Sequence, residues 1–195
     1  MIAEITERQL EIIEASGKIL TERGVSGLTL KNIAKEMKFS ESAVYRHFKS
    51  KEDIIITMLN YLAEIMNMNL SRICKSDKPS QQRLVEVFQS QLDFFEENPN
   101  FVVAVFSDGL FEESQKINEA IQRIMVLNMK NVIPLVAEGQ AKGEFINTMK
   151  PDELMHIAMG SFRLQMYKWR ISNMNFNIQI EGKRVINNFI TLVTP

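Results

Sequence analysis

The fold is decided by residues 21–54, which have the sequence TERGVSGLTLKNIAKEMKFSESAVYRHFKSKEDI. Apolar residues recur three and four apart in two short runs, about residues 29–37 and 41–48, so each run predicts a short amphipathic helix. Thr29 and Ser40 stand where helix N-caps are expected, and a tight connection separates the two helices. This spacing is typical of a helix-turn-helix unit.

A longer amphipathic helix precedes the motif. Thr6 and Gln9 have the spacing of a capping box, and Gly24 is placed to end the helix, which predicts a helix over about 7–23. Neither short helix of the motif can bury its apolar face alone. Residues 1–52 are therefore expected to form a three-helix DNA-binding domain.

The remainder of the chain, residues 53–195, is predicted to form a larger helical domain. Helical periodicity continues with almost no sustained alternation, so the expected fold is all-α with about nine helices. Ser50 and Asp53 open a long helix that runs toward Ile73. Further helices are expected to carry the apolar stripe from Leu84 to Phe95, and to span Asn98 to Phe106, about Ser114 to Lys142, Pro151 to Ser172 and Ile178 to Val193.

The composition is that of a packed globular protein, with 45% hydrophobic and 24% charged residues. The single cysteine, Cys74, excludes an internal disulfide and a multi-cysteine zinc site and favours a reducing compartment. The longest uninterrupted apolar run, Phe101 to Phe106, is far shorter than the ~20 residues of a bilayer-spanning helix. We therefore expect a cytoplasmic protein that has no membrane span, metal or cofactor.

Charge is distributed unevenly along the chain. The net charge is −1, from 23 Lys and Arg against 24 Asp and Glu. Residues 28–51 nevertheless hold six basic and two acidic residues, a local charge of +4, which leaves −5 for the rest. The helix-turn-helix segment is therefore the part of the chain best suited to a polyanion such as DNA.

The same segment resembles the tetracycline-repressor (TetR/AcrR) family of bacterial regulators. The most specific match is the string YRHFKSKE at residues 45–52, and close resemblance covers about residues 6–60. Two positions depart from the family pattern: Lys38 stands in the turn where Gly is common, and Ser42 stands in the recognition helix where Gly or Pro is frequent. Lys38 is expected to bear modest strain if its φ is positive.

Chemistry and the resemblance together predict the DNA-contacting residues. Donors near helix ends suit phosphate oxygens, and the expected set is Thr29, Tyr45, His47 and Lys51. Exposed side chains of the second short helix suit base edges, and the expected set is Glu41, Ser42, Ala43 and Arg46, with Ser40 at the helix cap. For Lys38, solvent exposure and phosphate contact stay open as alternatives.

Phe and Met are concentrated after Glu52, which precedes 10 of the 12 Phe and 10 of the 12 Met. Most are expected in the core, but Met adapts to varied apolar shapes, and three helices are placed to enclose a mainly apolar pocket. The predicted pocket residues are Phe88, Gln91, Phe95, Phe106, Met125, Met129 and Phe162. Arg163 is compatible with an anionic ligand or with a wetted helix face, and His156 is expected at the surface or an interface.

The last two helices carry apolar residues on more than one face, so each needs two packing partners. The resemblance implies that one partner is a second copy of the chain, in a two-fold four-helix interface. The predicted interface residues are Leu154, Ile157, Ser161, Leu164, Ile186, Phe189 and Ile190. A dimer sets two recognition helices roughly 34 to 36 Å apart, or a multiple of it, and so implies a near-palindromic operator.

The motif and the family resemblance together imply a dimeric transcriptional repressor that binds double-stranded DNA and is released by a small, mainly apolar effector. Residues 53–195 are then the ligand-sensing and dimerisation domain. The main alternative is an all-α interaction or adaptor module that keeps the helix-turn-helix shape without specific DNA binding. An enzyme is disfavoured because the chain has only two His and one Cys, with no Gly-rich phosphate loop and no nucleophile signature.

Overall fold

The structure is a computed structural model and describes residues 5–106, 108–110 and 113–195. Throughout these residues the regular structure is helical, as the periodicity predicted. The helices are α1 (Glu7–Gly27), α2 (Leu30–Glu36), α3 (Glu41–Tyr45), α4 (Lys51–Cys74), α5 (Ser80–Glu97), α6 (Asn100–Phe106), α7 (Gln115–Ala141), α8 (Pro151–Ile171) and α9 (Ile178–Val193), with a 3₁₀ turn at Asp108–Leu110. No helix within the described ranges combines the length and apolarity needed to cross a membrane.

The chain forms two compact units. The first contains the described residues of Met1–Glu64 and Asn98–Ile124, and the second contains Ile65–Glu97 and Met125–Pro195. Helices α4 and α7 therefore each contribute to both units. Helix α6 belongs to the same compact unit as the N-terminal helices. The division after residue 52 that the sequence predicts is a division by function, and it stays a prediction.

Helix α1 is defined by local signals at both ends. The Gln9 backbone N–H donates to Thr6 Oγ1 at 3.2 Å, and the Thr6 N–H donates to Gln9 Oε1 at 3.1 Å, so the capping box is present. Gly24 interrupts the helical path with φ 67° and ψ −173°, after which one further turn leads to Gly27. A positive φ is cheap for glycine alone, which explains why the interruption falls at this residue.

The two short helices begin at the predicted caps. Thr29 Oγ1 accepts a hydrogen bond from Asn32 N at 3.1 Å, and Ser40 Oγ accepts one from Ala43 N at 3.3 Å. The turn between the helices places Lys38 at φ 57°, so this lysine adopts the left-handed conformation in which a side chain costs free energy.

Helix α3 is shorter than the sequence predicted. It ends at Tyr45 rather than near residue 48. The backbone N–H groups of His47 and Phe48 both donate to the carbonyl oxygen of Val44, at 3.0 and 3.1 Å. This shared acceptor tightens the last turn, which is a common way for a helix to end.

In the first unit, α6 packs closely on α1. A Cβ atom added at Gly17 would lie 3.3 Å from Asn100 Cβ and 3.4 Å from the Phe101 ring, so the two helices meet at a small residue. The Thr21 hydroxyl also donates to the Asn100 carbonyl at 3.4 Å. Helix α6 is thus held against the first helix of the helix-turn-helix domain.

In the second unit, α5 lies antiparallel to α9. Gln81, near the start of α5, bonds Thr194 just past the end of α9 at 3.0 Å, and Gln179, near the start of α9, bonds Asp93 of α5 at 3.0 Å. The predicted apolar stripe of α5 is confirmed, since Leu84, Val87, Phe88, Gln91, Leu92 and Phe95 are all buried.

Helix α8 also lies antiparallel to α9, because a short connection joins the two packed helices. Trp169, near the end of α8, donates its indole N–H to the Phe176 carbonyl at 3.0 Å, just before α9 begins. Ile146, upstream of α8, donates its backbone N–H to Val193 at the end of α9 at 2.8 Å. Helices α5 and α8 therefore run in the same direction.

A buried arginine connects α4, α5 and α7 in the second unit. The Arg83 guanidinium donates to the Cys74 carbonyl at 2.8 Å, to Ser80 Oγ at 3.2 Å and to Glu138 Oε1 at 2.5 Å. Hydrogen bonds from Arg83 and then Lys142 lower the pKa of the Glu138 carboxyl from 4.5 to about 2. Burial raises the pKa of the Cys74 thiol to about 11.

Candidate functional site

The residues predicted to contact DNA lie at the N-cap of α2, on α3 and the residues directly flanking it, and in the first turn of α4, all within the first unit. The exposed members are Thr29, Ser40, Glu41, Ser42, Tyr45 and Arg46, and the half-buried members are Ala43, His47 and Lys51. Val44 and Phe48 are buried beside them and fix the orientation of α3. The arrangement presents polar side chains to solvent from a short, anchored helix.

The two helix caps hold their hydroxyl groups in place. Thr29 and Ser40 each use a side-chain oxygen as an acceptor for a backbone N–H. The hydroxyl of Thr29 keeps its hydrogen for donation to a phosphate oxygen. Ser40 Oγ also lies 2.9 Å from Ser42 Oγ, so the serine that departs from the family pattern contacts the cap of its own helix.

Helix α1 secures the segments on either side of α3 through contacts that the sequence analysis missed. The Gln9 side-chain amide donates to the His47 carbonyl at 3.5 Å, and the Arg8 guanidinium lies 4.9 Å from the centre of the Phe39 ring. These residues are far apart in sequence, so no local pattern pointed to them. They orient the turn and the end of α3 without belonging to the motif.

Lys51, the predicted phosphate contact at the start of α4, is engaged in an ion pair. Its Nζ lies 2.6 Å from Glu113 Oε2, with 30% and 29% of the two side chains exposed. Both residues belong to the first unit. A phosphate oxygen that binds Lys51 must therefore compete with this carboxylate.

A second ion pair joins α1 to α2. Lys18 Nζ lies 2.5 Å from Glu36 Oε1, and this hydrogen bond raises the pKa of Lys18 and lowers the pKa of Glu36. Glu36 is one of the acidic residues of the basic segment. Its partner on α1 offsets the negative charge that it brings to the helix-turn-helix surface.

The predicted pocket residues are only partly brought together. Phe88, Gln91, Phe95 and Phe162 are buried in the second unit, and the rings of Phe88 and Phe162 have centroids 5.8 Å apart. Met129 is half-buried. Phe106 is also buried, but it stands at the end of α6 and belongs to the first unit, whereas the other predicted pocket residues belong to the second.

The expectation that Met125 faces a pocket is wrong. Its side chain is 56% exposed, whereas Ile124 and Asn128 are buried. The buried residues of α7 recur three and four apart through Val132 and Leu135, and Met125 lies about 100° around the helix from Ile124. The error therefore concerns the rotational phase of the helix rather than its existence.

Three side-chain amides are buried in the second unit. Gln91 Nε2 donates to Asn128 Oδ1 at 3.0 Å. Gln165 on α8 is buried as well, and within the described ranges its Nε2 has no hydrogen-bond partner. Gln91 was predicted from the sequence, and the other two amides were not. Gln165 nevertheless follows Phe162 by three residues, just as Gln91 follows Phe88.

Four of the predicted interface residues are buried within the protomer. They are Leu154, Ile186, Phe189 and Ile190, which lie where α8 and α9 pack together within the second unit, and their assignment to an intersubunit surface stays a prediction. Ile157 and Leu164 are exposed and Ser161 is half-buried, so these three remain available to a partner. On the same helix, His156 is exposed and Arg163 is half-buried.

The exposed apolar residues of α8 form a seam at heptad spacing. Ile157, Leu164 and Ile171 are 48%, 59% and 61% exposed. Gly160 lies between the first two, and a Cβ atom added there would meet no atom within 4 Å. A second helix can approach closely at such a position. Ile171, the last residue of α8, was not among the predicted interface residues.

The model that describes bacterial regulatory proteins of the tetR family matches residues 12–58, which include α2, α3 and the start of α4. Residues 12–58 therefore form a helix-turn-helix domain of the tetR family. The family match covers the segment on which the predicted DNA contacts stand.

Curated TetR-related proteins match over part of their length. The nucleoid occlusion factor SlmA of Vibrio campbellii is 28% identical over 120 residues, which cover 61% of this chain and 61% of that protein. The uncharacterized HTH-type transcriptional regulator YerO of Bacillus subtilis is 27% identical over 123 residues, covering 62% of this chain and 42% of that protein. The chain thus spans about three fifths or less of these relatives.

Solved structures match over nearly the whole chain. The fatty acid degradation regulator FadR from Bacillus halodurans aligns with a TM-score of 0.83 at 16% identity, covering 95% of both chains. The ketosteroid regulator KstR2 of Mycobacterium tuberculosis aligns at 0.82 and 18%, covering 98% of this chain and 97% of that one. FadR from Bacillus subtilis, solved in complex with stearoyl-CoA, aligns with a TM-score of 0.79 at 18% identity, covering 93% of this chain and 97% of that one. These likenesses show the fold.

Proposed function

We propose that this TetR-family regulator binds a near-palindromic DNA operator as a homodimer and is released, as a repressor, by a small and mainly apolar effector. The observation that carries the proposal is the exposed polar surface of α2 and α3 within the family-matched segment. On this surface Thr29, Tyr45, His47 and Lys51 bind phosphates, and Glu41, Ser42, Ala43 and Arg46 contact base edges.

Dimerisation uses the apolar seam of α8. Three large apolar side chains at heptad spacing are costly to leave in water, and a matching seam on a second copy buries them. Gly160 and Ser161 allow the two α8 helices to approach closely. An isologous contact of this kind relates two α3 helices by a two-fold axis, which is what a palindrome requires.

The effector binds within the second unit, where Phe88, Phe95 and Phe162 supply apolar surface. The stearoyl chain of stearoyl-CoA in the Bacillus subtilis FadR structure supports a ligand with a long apolar part for this fold. Helix α4 begins beside α3 and contributes to both units, so it is a covalent route by which effector binding changes the spacing of the DNA-binding helices. A complete switch from 1:99 to 99:1 requires the effector to prefer one state by about 5.5 kcal/mol.

Selection of genomic DNA fragments at increasing salt tests the proposal. Fragments retained by the full chain should contain near-palindromes and bind at least ~10³-fold tighter than a scrambled duplex of equal length. Equal affinity for both duplexes would instead favour the adaptor module. In a reporter strain that carries the selected operator, deletion of the regulator should raise expression, and a fall would indicate activation.

Light scattering with a substitution in the seam tests the dimer. Leu164→Glu should convert a dimer into a monomer and remove tight binding to the full palindrome, because it places like charges opposite each other across the two-fold axis. Lys168→Glu, a charge change at an exposed position on the same helix, is the matched control for general effects of charge. A dimer that survives Leu164→Glu would show that the seam is not the interface.

A further inference from the structure

The buried amides of the second unit form an unusual polar group in an apolar interior. Gln91 on α5, Asn128 on α7 and Gln165 on α8 are only 3%, 4% and 5% exposed. Gln91 and Asn128 are hydrogen-bonded to each other at 3.0 Å. The Gln165 amide nitrogen is shielded from solvent and, among the residues that the structure describes, finds no acceptor.

The helix directions place Gln91 and Gln165 at the same level of the unit. Helices α5 and α8 are both antiparallel to α9 and so run parallel to each other. The Phe88 and Phe162 rings connect them at 5.8 Å. Each glutamine follows its phenylalanine by three residues, a rise of about 4.5 Å along each helix. The two amides therefore lie on the same side of the aromatic pair, beyond its rings.

An unpaired amide is expensive at such a position. A buried donor without an acceptor loses its hydration and gains nothing in exchange, whereas an apolar side chain of similar size avoids that cost. The apolar neighbours Phe162, Met166 and Trp169 on α8 show that this face of the helix accommodates apolar residues. A hydrogen-bond acceptor that is present only when a ligand is bound accounts for a polar residue at this position.

We propose that Gln165, together with the Gln91–Asn128 pair, forms the polar end of the effector site and binds the neutral carbonyl group of an otherwise apolar ligand. The Gln165 amide donates to the carbonyl oxygen, while the Phe88 and Phe162 rings contact the apolar body beside it. The ligand class is therefore a long-chain ester, thioester, amide or ketone. This inference rests on the proposed effector function and specifies the chemistry of that site.

The distribution of buried charge in the protein explains why the ligand group is a neutral carbonyl rather than a carboxylate. Arg83 is the buried cation of the described residues, and it is already paired with Glu138. A ligand carboxylate at the amide group would lose its hydration without gaining a countercharge. Arg163 does not supply one, because a residue two positions from Gln165 lies about 200° around the helix, on the other side of α8.

Ligands that share one chain and differ in the head group test the inference with the full-length protein. Methyl decanoate, decanoate and the alkane of equal length are titrated by calorimetry against the wild type, Gln165→Leu and Gln82→Leu. The wild type should bind the ester about tenfold tighter than the other two, which corresponds to ~1.4 kcal/mol. Gln165→Leu should abolish this preference and leave alkane binding unchanged, whereas Gln82→Leu, the same change at an exposed position of α5, should preserve it.

Unfolding of the ligand-free variant separates a binding role from a structural one. Gln165→Leu should have an unfolding midpoint equal to or above that of the wild type, because it removes an unpaired buried donor. A lower midpoint would show that the amide has a structural partner and would overturn the inference. Unchanged ester affinity in Gln165→Leu would overturn the inference alone, and a wild type that binds none of the three probes would overturn the effector function with it.

Discussion

The DNA-binding surface of the first unit and the interior of the second unit present functional groups in opposite ways. Around α2 and α3 the predicted contacts are exposed or half-buried and follow one another closely along the chain, between Thr29 and Lys51. In the second unit the candidate groups are buried and come from α5, α7 and α8. A large, charged ligand such as DNA is met by exposed side chains on short helices. A small apolar ligand requires a site assembled from distant parts of the chain.

The largest expected effect is the loss of unfolding free energy when a buried ring is removed, and this loss should be larger in the second unit than in the exposed turn of the first. Phe95→Ala should destabilise the protein by about 3–5 kcal/mol, because it leaves a cavity in a fully buried position of α5. Phe39→Ala, in the exposed turn of the helix-turn-helix unit, should cost much less. Chemical denaturation at equilibrium measures both. Similar losses for the two variants would contradict the contrast between the regions.

Acid should weaken the Arg83–Glu138 contact of the second unit. Because the pKa of Glu138 is lowered from 4.5 to about 2 in the folded protein, its contribution is complete above pH 4.5 and is lost as the pH falls toward 2. The difference in unfolding free energy between the wild type and Glu138→Gln should therefore shrink over this window. Urea midpoints at several pH values test this, with Glu119→Gln, an exposed residue of the same helix, as control. A difference that stays constant down to pH 2 would contradict the assignment.

Loss of one cation on the DNA-binding surface should act on affinity rather than stability. Lys51→Ala should weaken binding to every duplex and reduce the slope of log K against log salt by about 0.9, the value for one phosphate contact. Fluorescence anisotropy at several salt concentrations gives both quantities. Lys31→Ala, an exposed lysine of α2 that is expected to be solvated, should leave the slope unchanged. If Lys51→Ala also leaves it unchanged, Lys51 does not contact the backbone.

The smallest effect should come from the partner of Lys51. Glu113→Gln removes the carboxylate that competes with phosphate, and an exposed ion pair is worth about 0.2–1 kcal/mol, so DNA affinity should rise by a factor of roughly 1.5 to 5. The same substitution in a Lys51→Ala background should have no effect. A rise of equal size in that background would indicate a general charge effect instead.

Features controlled by neighbouring residues were predictable from the sequence. The Thr6–Gln9 capping box, the interruption at Gly24 and the buried stripe of α5 depend on hydrogen bonds or periodicity within a few residues. For Lys38 the sequence predicted strain only on the condition of a positive φ, and the structure meets this condition with φ 57°.

Features that depend on the rest of the fold were not predictable. The phase of α7 decided the exposure of Met125, and packing within the second unit buried Phe189 and Ile190. The Lys51–Glu113 pair and the unpaired Gln165 amide arise from residues or elements that are distant in sequence. The candidate DNA-contacting residues could be predicted from one motif. The buried candidate residues of the second unit could be recognised only from the three-dimensional packing.

The chemistry of Cys74 makes the protein well suited to site-selective labelling. It is the only cysteine in the sequence, and burial raises the pKa of its thiol to about 11. Since the thiolate is the reactive form, Cys74 reacts slowly with maleimides near neutral pH. A cysteine introduced at an exposed position such as Lys31 can thus be modified first, without replacing Cys74. Spin labels or fluorophores attached there would report the separation of the two DNA-binding helices of the proposed dimer as a candidate effector is added.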